Sequence, residues 1–259
     1  MVDFKTSRYL AFAALCAFGL GADAAQAVTL QITVTNEQTS GGLSLTPFLT
    51  VFHDGSFDAF DAGGMASPAL EAIAEEGDVS VALSGLGGET TAVVAAPGGF
   101  PGAPVIEPGE TGTVLVDVDP FSDLYLSFLA MVIPSNDLFL GNPDPLAYQL
   151  FDGAGMFLNI ADILVGPSGV WDAGTEQNNN QGAAFNTGGG TAMDTLEGIA
   201  LAGDLGYLVG QGTPIGPVTG IGDGLARISI AVVPLPATLP MAIAAVGLLG
   251  WVGRRRKLA

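Results

Sequence analysis

Residues 28–34 read V-T-L-Q-I-T-V, with apolar side chains at every second position and polar ones between them. This period of two is typical of a β-strand that buries one face and exposes the other. Five further segments are apolar or alternate in the same way. We therefore predict strands at residues 48–52, 90–96, 112–118, 124–133 and 225–233 as well.

The connections between these segments are long and rich in glycine and proline, notably residues 97–108 and 134–190. One helix is predicted after Ser67, which can cap its first turn, with Pro68 in the first helical position and Gly77 at its end. Its predicted buried face consists of Ala69, Leu70, Ala72 and Ile73. Asp194 with Glu197 indicates a second, short helix. Short strands, long loops and few helices favour an all-β, antiparallel β-sandwich.

The charge of the chain is distributed unevenly. Outside the two termini there are 24 acids and a single base, Arg227. Phosphate contacts require clustered Lys and Arg side chains, so this composition excludes a nucleic-acid partner. Because 49% of the chain is hydrophobic, the acids belong to a folded domain and not to a disordered tail. Such a domain attracts cations.

The N-terminus has the pattern of a secretory signal peptide. Lys5 and Arg8 precede an apolar stretch at residues 9–20, and small residues follow at Ala25 and Ala27. We predict cleavage after Ala27 by signal peptidase, which removes residues 1–27 together with Cys16. The alternative is a buried first helix. The predicted mature protein is exported and has no cysteine.

The middle of the chain resembles the spondin domain in its short bacterial form. The resemblance extends over most of residues 28–233 and is strongest at 131–141, M-V-I-P-S-N-D-L-F-L-G, and at 171–176, W-D-A-G-T-E. Family members typically have P-S-P-D-W-F-x-G and D-A-G-T-D/E at these places. The resemblance implies an antiparallel β-sandwich similar to a C2 domain. The cysteines of animal members are missing here.

Animal members of that family bind one calcium ion at loops at one end of the domain. By this resemblance, Asp137, Asp172 and Glu176 match the calcium-coordinating acids, and Glu176 stands where aspartate is usual. Carboxylates, carbonyls and water are the ligands that calcium prefers. The alternative for Asp172-Ala173-Gly174 is a turn with a hydrogen bond from the Asp side chain to the backbone.

Two sets of residues allow an enzymatic interpretation as well as a structural one. His53, the single histidine, has Asp54 beside it but lacks a G-x-S-x-G nucleophile motif, which favours a structural role. The acid pairs Asp58/Asp61 and Asp117/Asp119 suit a glycosidase only if two carboxylates face each other in a cleft.

The C-terminal segment resembles a PEP-CTERM-type sorting signal in a V-P-L-P-A variant. The motif consists of Val233, Pro234, Leu235, Pro236 and Ala237. An apolar run at 239–252 and the basic residues 254–257 follow it, which favours a short transmembrane helix with its basic end in the cytoplasm. The alternative is a buried core helix. In such systems an exosortase, a membrane enzyme, processes the signal.

These patterns divide the chain into a signal peptide (1–27), a spondin-like domain (28–232) and a sorting signal (233–259). The predicted protein is not an enzyme. It is exported, held transiently in the inner membrane, and delivered to the cell surface or extracellular matrix. There it would act in adhesion or in contact with exopolysaccharide or another matrix component. The alternative function is an exported hydrolase that acts on polysaccharide.

Overall fold

The computed structural model describes residues 27–100 and 103–234. Two α-helices are present in these residues, α1 (Pro68–Glu76) and α2 (Ser80–Gly85). The strands of the same residues are β1 (Val28–Asn36), β2 (Ser44–Leu45), β3 (Phe48–His53), β4 (Thr90–Val94), β5 (Thr111–Val118), β6 (Tyr125–Ile133), β7 (Leu138–Gly141), β8 (Ile163–Val165), β9 (Val170–Asp172), β10 (Ala200–Leu201), β11 (Gly212–Thr213), β12 (Gly216–Pro217) and β13 (Ala226–Val232).

Most of these strands form two antiparallel sheets. The first has the order β5-β1-β13-β8, and the second has the order β10-β9-β7-β6-β3-β4, with β2 paired to β6. Strands β11 and β12 form a small separate hairpin. The predicted all-β class with antiparallel pairing is confirmed.

The alternation in β1 places one face of the first sheet in the core. Leu30, Ile32 and Val34 are fully buried, while Gln31 is exposed between them. Ile32 lies opposite Val114 on β5 and Ile230 on β13. The same core contains three large aromatic side chains of the second sheet, Phe48, Phe52 and Phe128. Both sheets therefore share one hydrophobic core.

Strand β6 is buried on both faces, which explains its unbroken apolar sequence. Phe128 faces the shared core, while Leu129 packs in a second cluster with Leu70, Ile73 and Ala74 of α1. The ends of α1 are as predicted, because Ser67 Oγ accepts from the Leu70 N–H at 3.2 Å and Gly77 has a φ of 68°. The predicted buried face was partly wrong, since Ala69 and Ala72 are only half-buried and Ala74 is buried.

The short helix predicted at Asp194 and Glu197 is wrong. The Thr195 N–H donates to the Thr175 carbonyl at 2.7 Å, and the Glu197 N–H donates to the Gly174 carbonyl at 2.9 Å. Because these backbone groups pair sideways with the 174–175 segment, they cannot form the bonds of a helix. This pairing fixes the loop that follows β9.

The predicted signal peptide and most of the sorting signal lie outside the described residues. This holds for Ala25, for Leu235, Pro236 and Ala237, and for the predicted transmembrane helix and basic cluster. No helix between residues 27 and 234 has the length and apolar character needed to cross a membrane. The sorting motif begins where the first sheet ends, as the Val233 N–H donates to the Thr29 carbonyl at 2.8 Å.

Candidate functional site

Asp137 lies between β6 and β7 and is completely buried. Its Oδ2 accepts three hydrogen bonds, from the Thr175 N–H at 2.8 Å, the Glu176 N–H at 3.0 Å and Thr175 Oγ1 at 3.3 Å. Its Oδ1 has no hydrogen-bond partner among the residues that the structure describes. A buried carboxylate oxygen without a partner is rare in folded proteins and requires a physical explanation.

Asp172 ends β9 and lies directly opposite Leu138 of β7, the residue after Asp137. Its Oδ1 accepts from the Gly174 N–H at 2.8 Å, so the turn considered from the sequence is present. Its Oδ2 accepts from Asn178 Nδ2 at 2.5 Å. The pairing of β7 with β9 therefore brings Asp137 and Asp172 together at the same end of the second sheet.

The backbone and the side chain of Glu176 form hydrogen bonds with different residues. Its N–H donates to Asp137, whereas its carboxylate Oε2 accepts from Asn136 Nδ2 at 3.0 Å. The Glu176 side chain also lines a cavity of about 350 Å³ with Glu75 and Glu76 of α1. Within the described ranges, no group of three or more His, Cys, Asp or Glu side chains is arranged to hold a metal ion. The three-acid calcium site stays a prediction.

The electrostatics of this region are unfavourable to further negative charge. Burial raises the pKa of Asp137 to about 6, and the nearby Asp172 charge adds to this, although the hydrogen bonds from Glu176 and Thr175 act in the opposite direction. Burial likewise raises the pKa of Glu75 to about 7, assisted by Glu176, Glu71 and Asp137. The pKa of Glu176 is also raised, chiefly by burial. A bound cation would stabilise the charged form of these acids and so lower their pKa values.

Several polar residues around the acids were not predicted from the sequence. Tyr207 donates its hydroxyl to Asn178 Oδ1 at 2.8 Å, so Asn178 links Tyr207 to Asp172. Burial raises the pKa of Tyr207, and the charges of Asp172 and Asp137 reinforce the shift. Asn178 belongs to no recognisable motif. The short separation of six residues from Asp172 is the one sequence feature consistent with this contact.

Asn180 lies in the long connection at residues 134–190, yet it is buried. Its N–H donates to Asn136 Oδ1 at 2.7 Å. Its Nδ2 donates to the Tyr207 carbonyl at 3.1 Å, while its Oδ1 has no hydrogen-bond partner within residues 27–100 and 103–234. Its φ of 57° lies in the left-handed region, which asparagine tolerates better than most residues.

His53 lies away from these acids, because it pairs with Tyr125 at the start of β6 whereas Asp137 follows the end of β6, and its contacts match the structural interpretation. Its Nδ1 accepts from the Gly55 N–H at 3.0 Å, so Nε2 carries the proton and donates to Ser127 Oγ at 3.1 Å. Burial lowers its pKa. Asp54 accepts instead from the Ser56 N–H at 2.9 Å.

Three of the four acids in the two candidate glycosidase pairs have local structural partners. Asp58 accepts from the Phe60 N–H at 3.2 Å, and Asp119 accepts from the Phe121 N–H at 2.9 Å. Asp117 stands on the exposed face of β5 and accepts from Thr29 Oγ1 at 2.6 Å. Asp58 and Asp119 therefore stabilise turns, and Asp117 forms its hydrogen bond on the exposed surface of the first sheet.

Comparison with known protein families gives one finding, at the C-terminal end. A family model described as the PEP-CTERM protein-sorting motif matches residues 232–257. The chain carries a PEP-CTERM-type sorting signal. This signal implies export, membrane-linked sorting to the cell surface and processing by an exosortase-type enzyme. No curated protein matches the chain.

Proposed function

We propose that the domain between the two signals is a spondin-like β-sandwich that acts as a non-enzymatic binding module. It would serve in adhesion or in contact with exopolysaccharide or another matrix component at the cell surface. The sorting signal supports a surface location. Two antiparallel sheets with a shared core support the sandwich. The V-P-L-P-A form of the signal and its transient inner-membrane helix belong to the same proposal.

The proposed module binds calcium beside Asp137 and Asp172. The observation that carries this proposal is Asp137 Oδ1, a fully buried carboxylate oxygen with no partner, next to a second carboxylate. Oxygen donors of this kind suit a hard cation. Glu176 would contribute through water, since its carboxylate is already held by Asn136. Backbone carbonyls near Trp171 and water would complete the shell.

Calcium is expected to stabilise the protein. At a calcium concentration ten times the Kd, an ion that binds only the folded state adds about 1.4 kcal/mol and raises Tm by about 3–6 °C. Thermal melts of the purified chain with calcium and with EDTA measure the effect. Asp172→Asn should remove most of the shift, while the exposed Asp117→Asn should keep it. Coincident melting curves with calcium and EDTA would contradict the proposed site.

Binding to matrix material is expected to depend on the same ion. Exopolysaccharide from the native host is incubated with the full chain in calcium or in EDTA, and the bound fraction is measured after sedimentation. We expect at least a fivefold loss in EDTA and in Asp172→Asn, with Asp117→Asn unchanged. If the protein gains stability from calcium but sediments equally in both buffers, the ion site stands and the ion-dependent matrix role does not.

One observation favours the alternative function, an exported polysaccharide hydrolase. Glu75 and Glu176 line the same cavity, and the pKa of Glu75 is raised to about 7, a value suited to a general acid near neutral pH. The two functions differ in a simple readout. Release of reducing ends from the host polysaccharide, lost in Glu75→Gln, would establish the hydrolase. Bound but uncleaved polysaccharide supports the binding module.

A further inference from the structure

A second cavity lies at the first turn of α1, between the two helices and the outer face of the second sheet, whereas the acidic cavity lies at the last turn of α1. Its floor is formed by Leu49 of β3 and Leu129 of β6, which are both buried. Leu70 of α1 and Ala82 of α2 line the helical side. The segment from Phe57 to Ala59 forms the remaining wall. The cavity is therefore built on rigid elements and not on loops alone.

The size and lining of this cavity suit a small apolar molecule. Its volume is about 220 Å³. The space stays open because small residues line it, namely Ala59, Ala69, Ala82 and Gly85. For comparison, an apolar protein cavity of about 150 Å³ holds benzene. A cavity about half as large again accommodates a bicyclic ring. Apolar walls with few polar groups are usual in binding sites for small ligands.

The charge at the rim selects among such molecules. Asp58 and Ser67 line the cavity and are both exposed, so they stand at its mouth. The only base between residues 28 and 232 is Arg227, whose guanidinium is paired with Glu37 at 2.7 Å and Asp162 at 3.2 Å. No lysine or arginine of this domain is therefore available to neutralise Asp58, and burial lowers the pKa of His53, the one histidine, which favours its neutral form. The negative charge at this rim attracts a cationic or N–H group of a ligand and repels a carboxylate.

We propose that this cavity binds a free small molecule with a bicyclic aromatic ring and a cationic amine, as in tryptamine. The ring would lie between Leu49, Leu129 and Leu70, and the ammonium group would reach Asp58 at the mouth. This site is separate from Asp137 and Asp172, and the proposal does not rest on the proposed calcium or matrix function.

The test compares three ligands that share the indole ring and differ in charge. The full chain is placed in lipid nanodiscs, and equilibrium dialysis against tryptamine, indole and indole-3-acetate is corrected with empty nanodiscs. We expect one saturable site with tryptamine bound at least tenfold more tightly than indole-3-acetate and with indole between them. Asp58→Asn should reduce the preference for tryptamine over indole at least threefold. Absence of saturable tryptamine binding, or tighter binding of indole-3-acetate, overturns the proposal.

Matched substitutions on α1 locate the ligand. Ala69→Leu fills the cavity and should weaken tryptamine binding at least tenfold. Ala72→Leu adds the same volume to the same helix at a residue that does not line the cavity, and should stay within twofold of the parent. If Ala69→Leu fails to fold, Ala59→Leu fills the cavity from the opposite wall. Unchanged binding in a folded, filled variant shows that tryptamine binds elsewhere and rejects the site.

Discussion

Replacing Asp137 with alanine is expected to lower the free energy of unfolding by about 2–4 kcal/mol. The Asp137 carboxylate is the acceptor for the Thr175 N–H, the Glu176 N–H and the Thr175 hydroxyl, and all three lose their partner. These bonds join the β6–β7 connection to the loop after β9, across a sequence separation of 38 residues. The substitution also removes the cost of burying the unpaired Oδ1, but this gain offsets only part of the stability lost with the three hydrogen bonds.

Urea unfolding at pH 7 with EDTA measures this change in stability. Asp117→Ala is the matched control, because Asp117 accepts one bond at an exposed sheet surface and should change stability by no more than about 0.5 kcal/mol. Asp137→Asn retains an acceptor oxygen, so it should lose the calcium response while losing less stability than Asp137→Ala. Equal stability of Asp137→Ala and Asp117→Ala would show that Asp137 does not hold the loop.

The second large effect is a loss of stability with rising pH. The pKa of Asp137 is raised from 3.8 to about 6 and that of Glu75 from 4.5 to about 7, so the folded state binds more protons than the unfolded state between these values. The stability from these two groups is complete below about pH 4 and is lost as the pH rises through the folded-state pKa values of about 6 and about 7, so the loss is nearly complete at about pH 8. The raised pKa of Asp137 corresponds to a loss of about 3 kcal/mol, and Glu75, after allowance for solvent screening at its half-buried carboxylate, adds about 1 kcal/mol, so the loss is about 4 kcal/mol.

Comparison of variants isolates this contribution from the other acids. In EDTA, Glu75→Gln should be more stable than the parent by about 1 kcal/mol at pH 8 and equal to it at pH 4. Asp117→Asn should follow the parent at both values. A Glu75→Gln variant that is less stable than the parent at pH 8 would mean that the Glu75 carboxylate is held in its charged form by a favourable contact.

Local patterns were sufficient for the parts of the fold that depend on neighbouring residues. The alternation at residues 28–34 predicted which side of β1 is buried, and Ser67, Pro68 and Gly77 predicted both ends of α1. The C-terminal motif likewise predicted the sorting signal that the family comparison supports. Each of these features can be predicted from neighbouring residues, because a strand face, a helix cap and a processing signal all depend on residues that are close together in the sequence.

The loop region was predicted less well because its structure depends on distant partners. Strands β7 and β9 have four and three residues, too few for a clear period, and their pairing with each other and with β6 gives them their extended form. The expected helix at Asp194 and Glu197 failed for the same reason, since pairing with residues 174–175 takes up its backbone groups.

The sequence by itself determined an exported, acidic, mostly β domain with a C-terminal sorting signal, and by resemblance it named Asp137, Asp172 and Glu176. Only the tertiary structure decided how those acids differ. It buries Asp137 with one oxygen unpaired among the described residues, joins Asp172 to Asn178 by a hydrogen bond, and binds the Glu176 carboxylate to Asn136 beside the cavity that Glu75 also lines. Burial and hydrogen-bond partners across many residues set the charge state of an acid, and neither is present in the local sequence.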